Sequence, residues 1–294
     1  MKNRILFIFF ISIVQFITAQ KPFNYKEEIE QWKIGRYAAL KESNGWLNLA
    51  GLFWLEQGKS NFGSDKKNKI VFPKGSIAAN AGYIELEGNT VRITAAKGVS
   101  IKVNNQLIQS SIIFSPDSLK NPVVSAGSLH WTIIKREDKI GIRLRDDNSA
   151  QLKQFKGIDR FPTDSTWKLD AILKEPLFAT TIPIKNVLGQ TIQMKLLGKL
   201  IFTIKGQIYS LDAVEEGANL FVIFADATNA KTTYGAGRFL YAPKPDATGK
   251  TVVDFNKAFN PPCAFTPFAT CPLPPPQNVL SIPITAGELN YGKH

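Results

Sequence analysis

Short apolar segments separated by turn-forming residues recur along most of this chain, an alternation that is typical of antiparallel β structure. Two tight hairpins are predicted at residues 83–93 and 99–108, because Gly88-Asn89 and Asn104-Asn105 favour the turns that join adjacent strands. A third hairpin is predicted at residues 129–144. Strands at this spacing predict a mainly β fold, built from antiparallel sandwich or barrel modules.

A single helix is predicted over Tyr25–Lys41, ahead of the strands. Its apolar residues recur at helical spacing, and Glu27 and Glu28 stand in its first turns, where acidic side chains stabilise a helix. A polar stretch at residues 146–166 interrupts the strands and predicts a junction between modules. We therefore expect an N-terminal helix plus a β-sandwich in residues 20–150, and an antiparallel β module with a proline-rich loop in residues 151–294.

Residues 1–19 have the pattern of a secretory signal. Lys2 and Arg4 precede an apolar run, and Thr18-Ala19 supplies a small residue before the expected cleavage at Gln20. The run is shorter than the roughly 20 residues that cross a bilayer comfortably. The protein is therefore expected to be exported, to the periplasm or the extracellular space, and to lack a membrane span after cleavage. An uncleaved N-terminal anchor is the alternative.

The charge and histidine content exclude several functions. The chain carries 36 basic and 24 acidic residues, but the lysines are scattered among acids, without the arginine and aromatic stripe that binds nucleic acid. The excess can attract an anionic envelope glycan or serve solubility alone. With only His130 and His294, histidine-rich metal sites are excluded, and no metal or cofactor is expected.

The two cysteines, Cys263 and Cys271, lie in a segment rich in proline and aromatic residues. In an exported protein, a close pair in a turn-rich loop is well placed to form a disulfide. Free thiols or a redox-active pair are the alternatives. Redox pairs prefer two intervening residues at the start of a helix, which the flanking prolines disfavour.

Polar residues near this loop form the main candidate site: Arg238, Asp254, Asn256, Asn260 and Glu288. On a strand, Asp254 and Asn256 would point to the same face. An arginine with amides and carboxylates can bind an anionic small molecule or a sugar. The same groups can instead satisfy backbone atoms and hold the loop in place.

A weaker candidate is the anion site formed by Arg143, Arg145 and Asp146. The two arginines alternate along a predicted strand, so they share one face, and Asp146 follows at its end. The alternative is a solvated edge strand, whose charges discourage pairing with other chains.

Three segments carry a resemblance to a known family. DFNKAFNPPCAFTPFATCPLPPPQN at 254–278, with GWLNLAGLFWL at 45–55 and RLRDDNSA at 143–150, resembles a bacterial family named domain of unknown function 1684. The likeness extends over nearly the whole mature chain. It implies no established activity.

A second resemblance concerns shape. GKSNFGSDKKNKIVFP, followed by hairpins that end in VNNQL, is similar to the strand order of forkhead-associated β-sandwiches. That family holds phosphothreonine with an arginine after its glycine. Here Ser64 follows Gly63, so the resemblance implies a shared shape without phosphopeptide binding.

The candidate residues are compatible with two functions. The first is an envelope-associated binding or scaffolding protein, which would take a small molecule or an envelope glycan. The second is a hydrolase or lyase of a small anionic or carbohydrate substrate, with Asp254 or Glu288 as acid or base and Arg238 holding negative charge. Whether the protein is an enzyme is left open by the sequence.

Overall fold

The computed structural model describes residues 24–117 and 121–292. The predicted signal segment, residues 1–19, lies outside these ranges. The described chain is mainly β, with antiparallel sheets and an N-terminal helix, so the predicted fold class is confirmed.

The N-terminal strands form two sheets, and we number all strands in chain order. The six-stranded sheet has the order β1 (Leu49–Trp54), β11 (Lys139–Asp146), β10 (Leu129–Arg136), β9 (Val124–Ala126), β6 (Ile101–Val103) and β7 (Gln106–Ile108). The five-stranded sheet has the order β3 (Ile70–Val71), β2 (Gly58–Gly63), β4 (Gly82–Glu87), β5 (Thr90–Ala95) and β8 (Ser110–Phe114). Both sheets contribute to one buried core, in which Trp131 packs against Phe62 and Phe72. This arrangement is a β-sandwich.

The three predicted hairpins are present. The pairs β4–β5, β6–β7 and β10–β11 are antiparallel, and the first two turn at the predicted Gly88-Asn89 and Asn104-Asn105. Strands β2, β8 and β9 were not predicted, because their sequences lack a continuous apolar run.

The C-terminal strands form one antiparallel sheet. Its order is β17 (Arg238–Ala242), β16 (Asn219–Phe224), β15 (Gln207–Glu216), β14 (Thr191–Ile204), β12 (Lys168–Lys174) and β18 (Lys250–Asp254), while β13 (Thr180–Lys185) pairs with β14. Strand β14 continues past Gly198, because a bulge there shifts the register without ending the strand. Residues 281–284, which lead to Glu288, form no strand. That segment is irregular, and Ile284 N–H donates to the Asp226 carboxylate.

Helix α1 (Tyr25–Lys41) packs against the C-terminal half of the chain. The Asn24 side chain caps its first turn by accepting a hydrogen bond from Lys26 N–H. Trp32 contacts Phe259, with ring centroids 6.4 Å apart, and Arg36 reaches Glu288. The helix therefore completes the C-terminal module, although it precedes the N-terminal sandwich in sequence.

The predicted junction contains a second, short helix, α2 (Ala150–Gln154). Single 3₁₀ turns occur at Ser165–Trp167, Phe255–Lys257, Pro262–Ala264 and Pro276–Asn278. Among the helices within residues 24–117 and 121–292, none is long and apolar enough to cross a membrane.

Candidate functional site

A cavity of about 880 Å³ lies where α1, the C-terminal sheet, the β10–β11 hairpin and the proline-rich loop (residues 261–276) meet. This volume is within the range of small-molecule sites, which are mostly apolar with a few placed polar groups. Six of its lining residues are aromatic: Trp32, Trp46, Phe221, Phe239, Tyr241 and Phe259. The cavity can therefore hold an apolar or aromatic molecule.

Arg143, from β11, is a cation in the cavity wall without a counter-charge. Its guanidinium lies 5.6 Å from the Trp46 ring centroid, and its buried Nε has no hydrogen-bond partner among the residues that the structure describes. No carboxylate of the described residues lies within ion-pair distance of it. Burial, with repulsion from Arg136, lowers the pKa of Arg143 to about 10, so the side chain stays charged at neutral pH.

The other two members of the weaker candidate site lie elsewhere. Arg145 donates hydrogen bonds to the carbonyls of Gly45 and Asn44, at 3.4 and 3.2 Å. Asp146 accepts a hydrogen bond from Ser128 Oγ at 2.7 Å. Their solvated-edge alternative is wrong, because β11 lies between β1 and β10 inside its sheet. Of the three residues, only Arg143 lines the cavity.

Glu216 and Tyr241 form a polar pair at another part of the cavity wall. The Glu216 carboxyl group lies near the Tyr241 hydroxyl, and burial together with this carboxylate raises the pKa of Tyr241. Although Glu216 as a residue is exposed, its carboxyl group lies among protein atoms, and this burial raises its pKa. Because both residues line the cavity and are exposed, they stand at its opening.

The five main candidate residues lie behind the cavity wall in one buried network, and none of them lines the cavity. Arg238 is fully buried, and its Nη2 lies 2.8 Å from Asp226 Oδ2. The same guanidinium donates to the carbonyls of Ile284 and Ala286. Arg238 therefore joins β17 to the segment that leads to Glu288.

Glu288 is also fully buried and connects three elements. Its Oε1 accepts a hydrogen bond from Arg36 Nε at 3.2 Å, and its Oε2 accepts one from Asn260 N–H at 2.7 Å. Arg160 Nη1 lies 3.8 Å from the same carboxylate. The Asn260 side chain donates to Leu289 O at 2.7 Å.

Asp254 and Asn256 complete the network, but not on one strand face. Strand β18 ends at Asp254, and Asn256 lies in the following 3₁₀ turn, so the predicted strand alternation does not apply. The two still meet, because Asp254 Oδ1 accepts from Asn256 N–H at 3.1 Å and from Tyr25 O–H at 2.7 Å. Arg160 donates to Asn256 O and so links this pair to Glu288.

Most polar atoms of this network are satisfied by protein partners, and its carboxylates are buried away from the cavity. This geometry favours the interpretation that the network holds α1 and the loop in place. It does not favour a hydrolase in which Arg238, Asp254 and Glu288 contact a substrate.

Sequence reasoning missed several residues of the cavity and network, including Arg36, Arg160, Glu216 and Asp226. Arg36 gave one usable signal, because it follows Trp32 by four positions and so shares a helix face with it. Its guanidinium lies 4.5 Å from the Phe259 ring centroid and lines the cavity. The others lie in segments whose local sequence has no distinctive pattern.

Cys263 and Cys271 are adjacent free thiols in this structure, so the predicted disulfide is not formed here. Each sulfur instead accepts a hydrogen bond from the other residue's N–H, at 3.0 and 3.3 Å. The contact between the thiols lowers the pKa of Cys263 and raises that of Cys271. Cys271 lines the cavity. No group of three or more His, Cys, Asp or Glu residues in the described ranges is arranged to hold a metal ion.

Comparison with known proteins finds a match to a family model within the C-terminal half. Residues 153–289 match the family described as protein of unknown function (DUF1684). The resemblance is confirmed over this DUF1684 segment, whereas residues 45–55 and 143–150 lie outside it. The segment contains the whole five-residue candidate network and several aromatic residues of the cavity, but Arg36 and Arg143 come from outside it.

Beyond this family, no curated protein matches the chain. Among solved structures, the chain is similar to the solution NMR structure of an uncharacterised protein from Haloarcula marismortui. That similarity has 26% sequence identity and a TM-score of 0.40, and it covers 47% of this chain and 79% of the other.

Proposed function

We propose that this protein binds a small molecule with an apolar body and an anionic group, in the cavity between α1 and the C-terminal sheet. The observation that carries the proposal is Arg143. It is a charged side chain in the cavity wall, and among the described residues its buried Nε has no hydrogen-bond partner and no carboxylate lies within ion-pair distance. An unpaired charge near apolar walls is costly, and a ligand anion at this position removes part of that cost.

The surrounding wall supports the same ligand chemistry. Arg136, from the end of β10, lies near Arg143 and repels it, so the positive potential at this end of the cavity is strengthened. Trp46 packs under the Arg143 guanidinium and restricts its movement. The aromatic walls then supply the apolar contact area that a ligand body needs.

The expected result of an Arg143→Met substitution is the selective loss of anion binding. The probe is 1-anilinonaphthalene-8-sulfonate, and N-phenyl-1-naphthylamine is its neutral counterpart with a similar body. A hydrogen bond to a charged group contributes about 1.5–3 kcal/mol, so Kd for the sulfonate should rise about 10- to 100-fold. Kd for the neutral probe should change little. Fluorescence titration measures both.

Lys139→Met is the matched control, since Lys139 is an exposed cation of the same strand that does not line the cavity. It should leave both affinities unchanged. Equal sulfonate affinity in the Arg143→Met variant and the wild type would show that Arg143 does not anchor an anion. Thermal unfolding checks that each variant is folded, and removal of an unpaired buried charge is not expected to destabilise the protein.

We also propose that the protein is exported and acts at the cell envelope, which the charge and apolar pattern of residues 1–19 supports. Export would bring Cys263 and Cys271 into an oxidising compartment, and their adjacency favours closure there. Protein isolated from the envelope fraction should therefore begin at Gln20 and carry a disulfide between these cysteines. N-terminal sequencing and intact mass after thiol alkylation check this. A start at Met1, or two alkylated thiols, would contradict the corresponding part.

A further inference from the structure

Glu216 is the only acidic side chain that lines the cavity, and it is not in an ion pair within the described part of the chain. Its neighbour Glu215 differs, because Glu215 pairs with Lys195 at 3.0 Å. The Glu216 carboxylate lies near the Tyr241 hydroxyl, and its two oxygens have enough lone pairs to accept a donor from a ligand as well. The cavity therefore contains an unpaired anion as well as an unpaired cation.

The two charges come from different walls. Arg143 belongs to the N-terminal sandwich and lies over Trp46, whereas Glu216 ends β15 of the C-terminal sheet. Around Glu216, the Tyr241 ring packs against Phe221 and Phe259, at 5.1 and 5.6 Å between centroids. Arg36 is also near Tyr241, but its charge is offset by Glu288 behind the wall.

From this arrangement we infer that the ligand is a zwitterion with an aromatic or apolar body, such as a short peptide with free termini. Its carboxylate pairs with Arg143 and its ammonium group with Glu216, while the aromatic walls hold its side chains. This inference rests on the proposed function and specifies its ligand. An ammonium group suits the Glu216 end, because the faces of Tyr241 and the neighbouring aromatic rings also attract cations.

Partial burial of the Glu216 carboxyl group agrees with this assignment. Burial raises its pKa, since a charged carboxylate is disfavoured among protein atoms without a cation. A ligand ammonium group supplies that cation.

The test uses phenylalanyl-phenylalanine and two capped forms, measured by isothermal titration calorimetry on the full mature protein. N-acetylation removes the ammonium group, and C-terminal amidation removes the carboxylate. The free dipeptide should bind at least about tenfold more tightly than either capped form, as expected when one charge-assisted hydrogen bond is lost. Glu216→Gln should abolish the preference for the free over the N-acetylated peptide. Glu215→Gln, the control, should preserve it.

The outcomes separate this inference from the proposed function. Equal affinity for the free and N-acetylated dipeptides, or no effect of Glu216→Gln, would overturn the zwitterion assignment. The proposed function would still stand if Arg143→Met weakened sulfonate binding. If no dipeptide form binds while the sulfonate does, the zwitterion assignment is likewise wrong. Loss of the Arg143 effect on the sulfonate would overturn the proposed function itself.

Discussion

Replacing Arg238 by methionine should lower the free energy of unfolding by about 3–5 kcal/mol, the usual cost of removing one partner of a buried ion pair. Arg238 and Asp226 have fully buried side chains, and methionine leaves the Asp226 carboxylate without its cation. The carbonyls of Ile284 and Ala286 lose a donor as well. Urea denaturation, followed by tryptophan fluorescence, measures the change.

Two variants make this result specific. Arg92→Met, at an exposed position of β5, should change the free energy of unfolding by less than about 0.5 kcal/mol. Adding Asp226→Asn to Arg238→Met should recover part of the lost free energy of unfolding, because the unpaired carboxylate of Asp226 is then replaced by a neutral amide. A loss below about 1 kcal/mol for Arg238→Met would show that the network does not hold this part of the fold together.

Gly287→Ala should also be strongly destabilising, by about 2–5 kcal/mol. Gly287 has a φ of +81°, a left-handed conformation that costs an alanine roughly 1–2 kcal/mol. A Cβ there would lie 2.5 Å from the Ala258 carbonyl oxygen, and relief of such a clash in a packed region costs about 1–3 kcal/mol more. The movement would also displace Glu288 from Arg36.

Gly206→Ala is the matched control, since Gly206 has the same φ of +81° but a Cβ added there would meet no atom within 4 Å. It should show only the conformational cost of the left-handed residue. The difference in urea midpoint between the two variants therefore measures the clash at Gly287. An equal decrease in stability in both variants would mean that the backbone at Gly287 can shift without cost, and that its close contact with Ala258 does not contribute to stability.

The β fold was predictable from the sequence because its signals are local. Gly88-Asn89 and Asn104-Asn105 specify tight turns whatever the rest of the chain does, and the alternation beside them specifies strands. Local signals failed where tertiary contacts decide the outcome. A glycine such as Gly198 often marks the end of a strand. Here β14 stays paired with β12 and β15 on both sides of it, and the bulge absorbs the change in register.

The cavity could not be predicted in this way, because its charged residues come from three separate regions. Arg143 was recognised only as part of an alternating arginine pair, and its separation from Arg145 depends on how β11 packs. The sequence around Glu216 is that of an ordinary exposed hairpin, and nothing in it indicates that Tyr241 lies nearby in the fold. From residue types alone, the five main candidate residues could equally bind a ligand or hold the loop in place. Asp226 and Arg160, which pair with them in the structure, gave no sequence signal.

The docking of α1 has a consequence for the order in which the molecule is assembled during synthesis. The helix precedes every strand of the described chain, yet Tyr25 and Arg36 bind Asp254 and Glu288, which follow 229 and 252 residues later. Contacts this distant in sequence slow folding, because a long loop must close before they form. The helix therefore cannot form these contacts, and Trp32 stays exposed to solvent, until the chain has been synthesised as far as Glu288. The family model matches residues 153–289, but the contacts that complete this half of the fold also include those of α1.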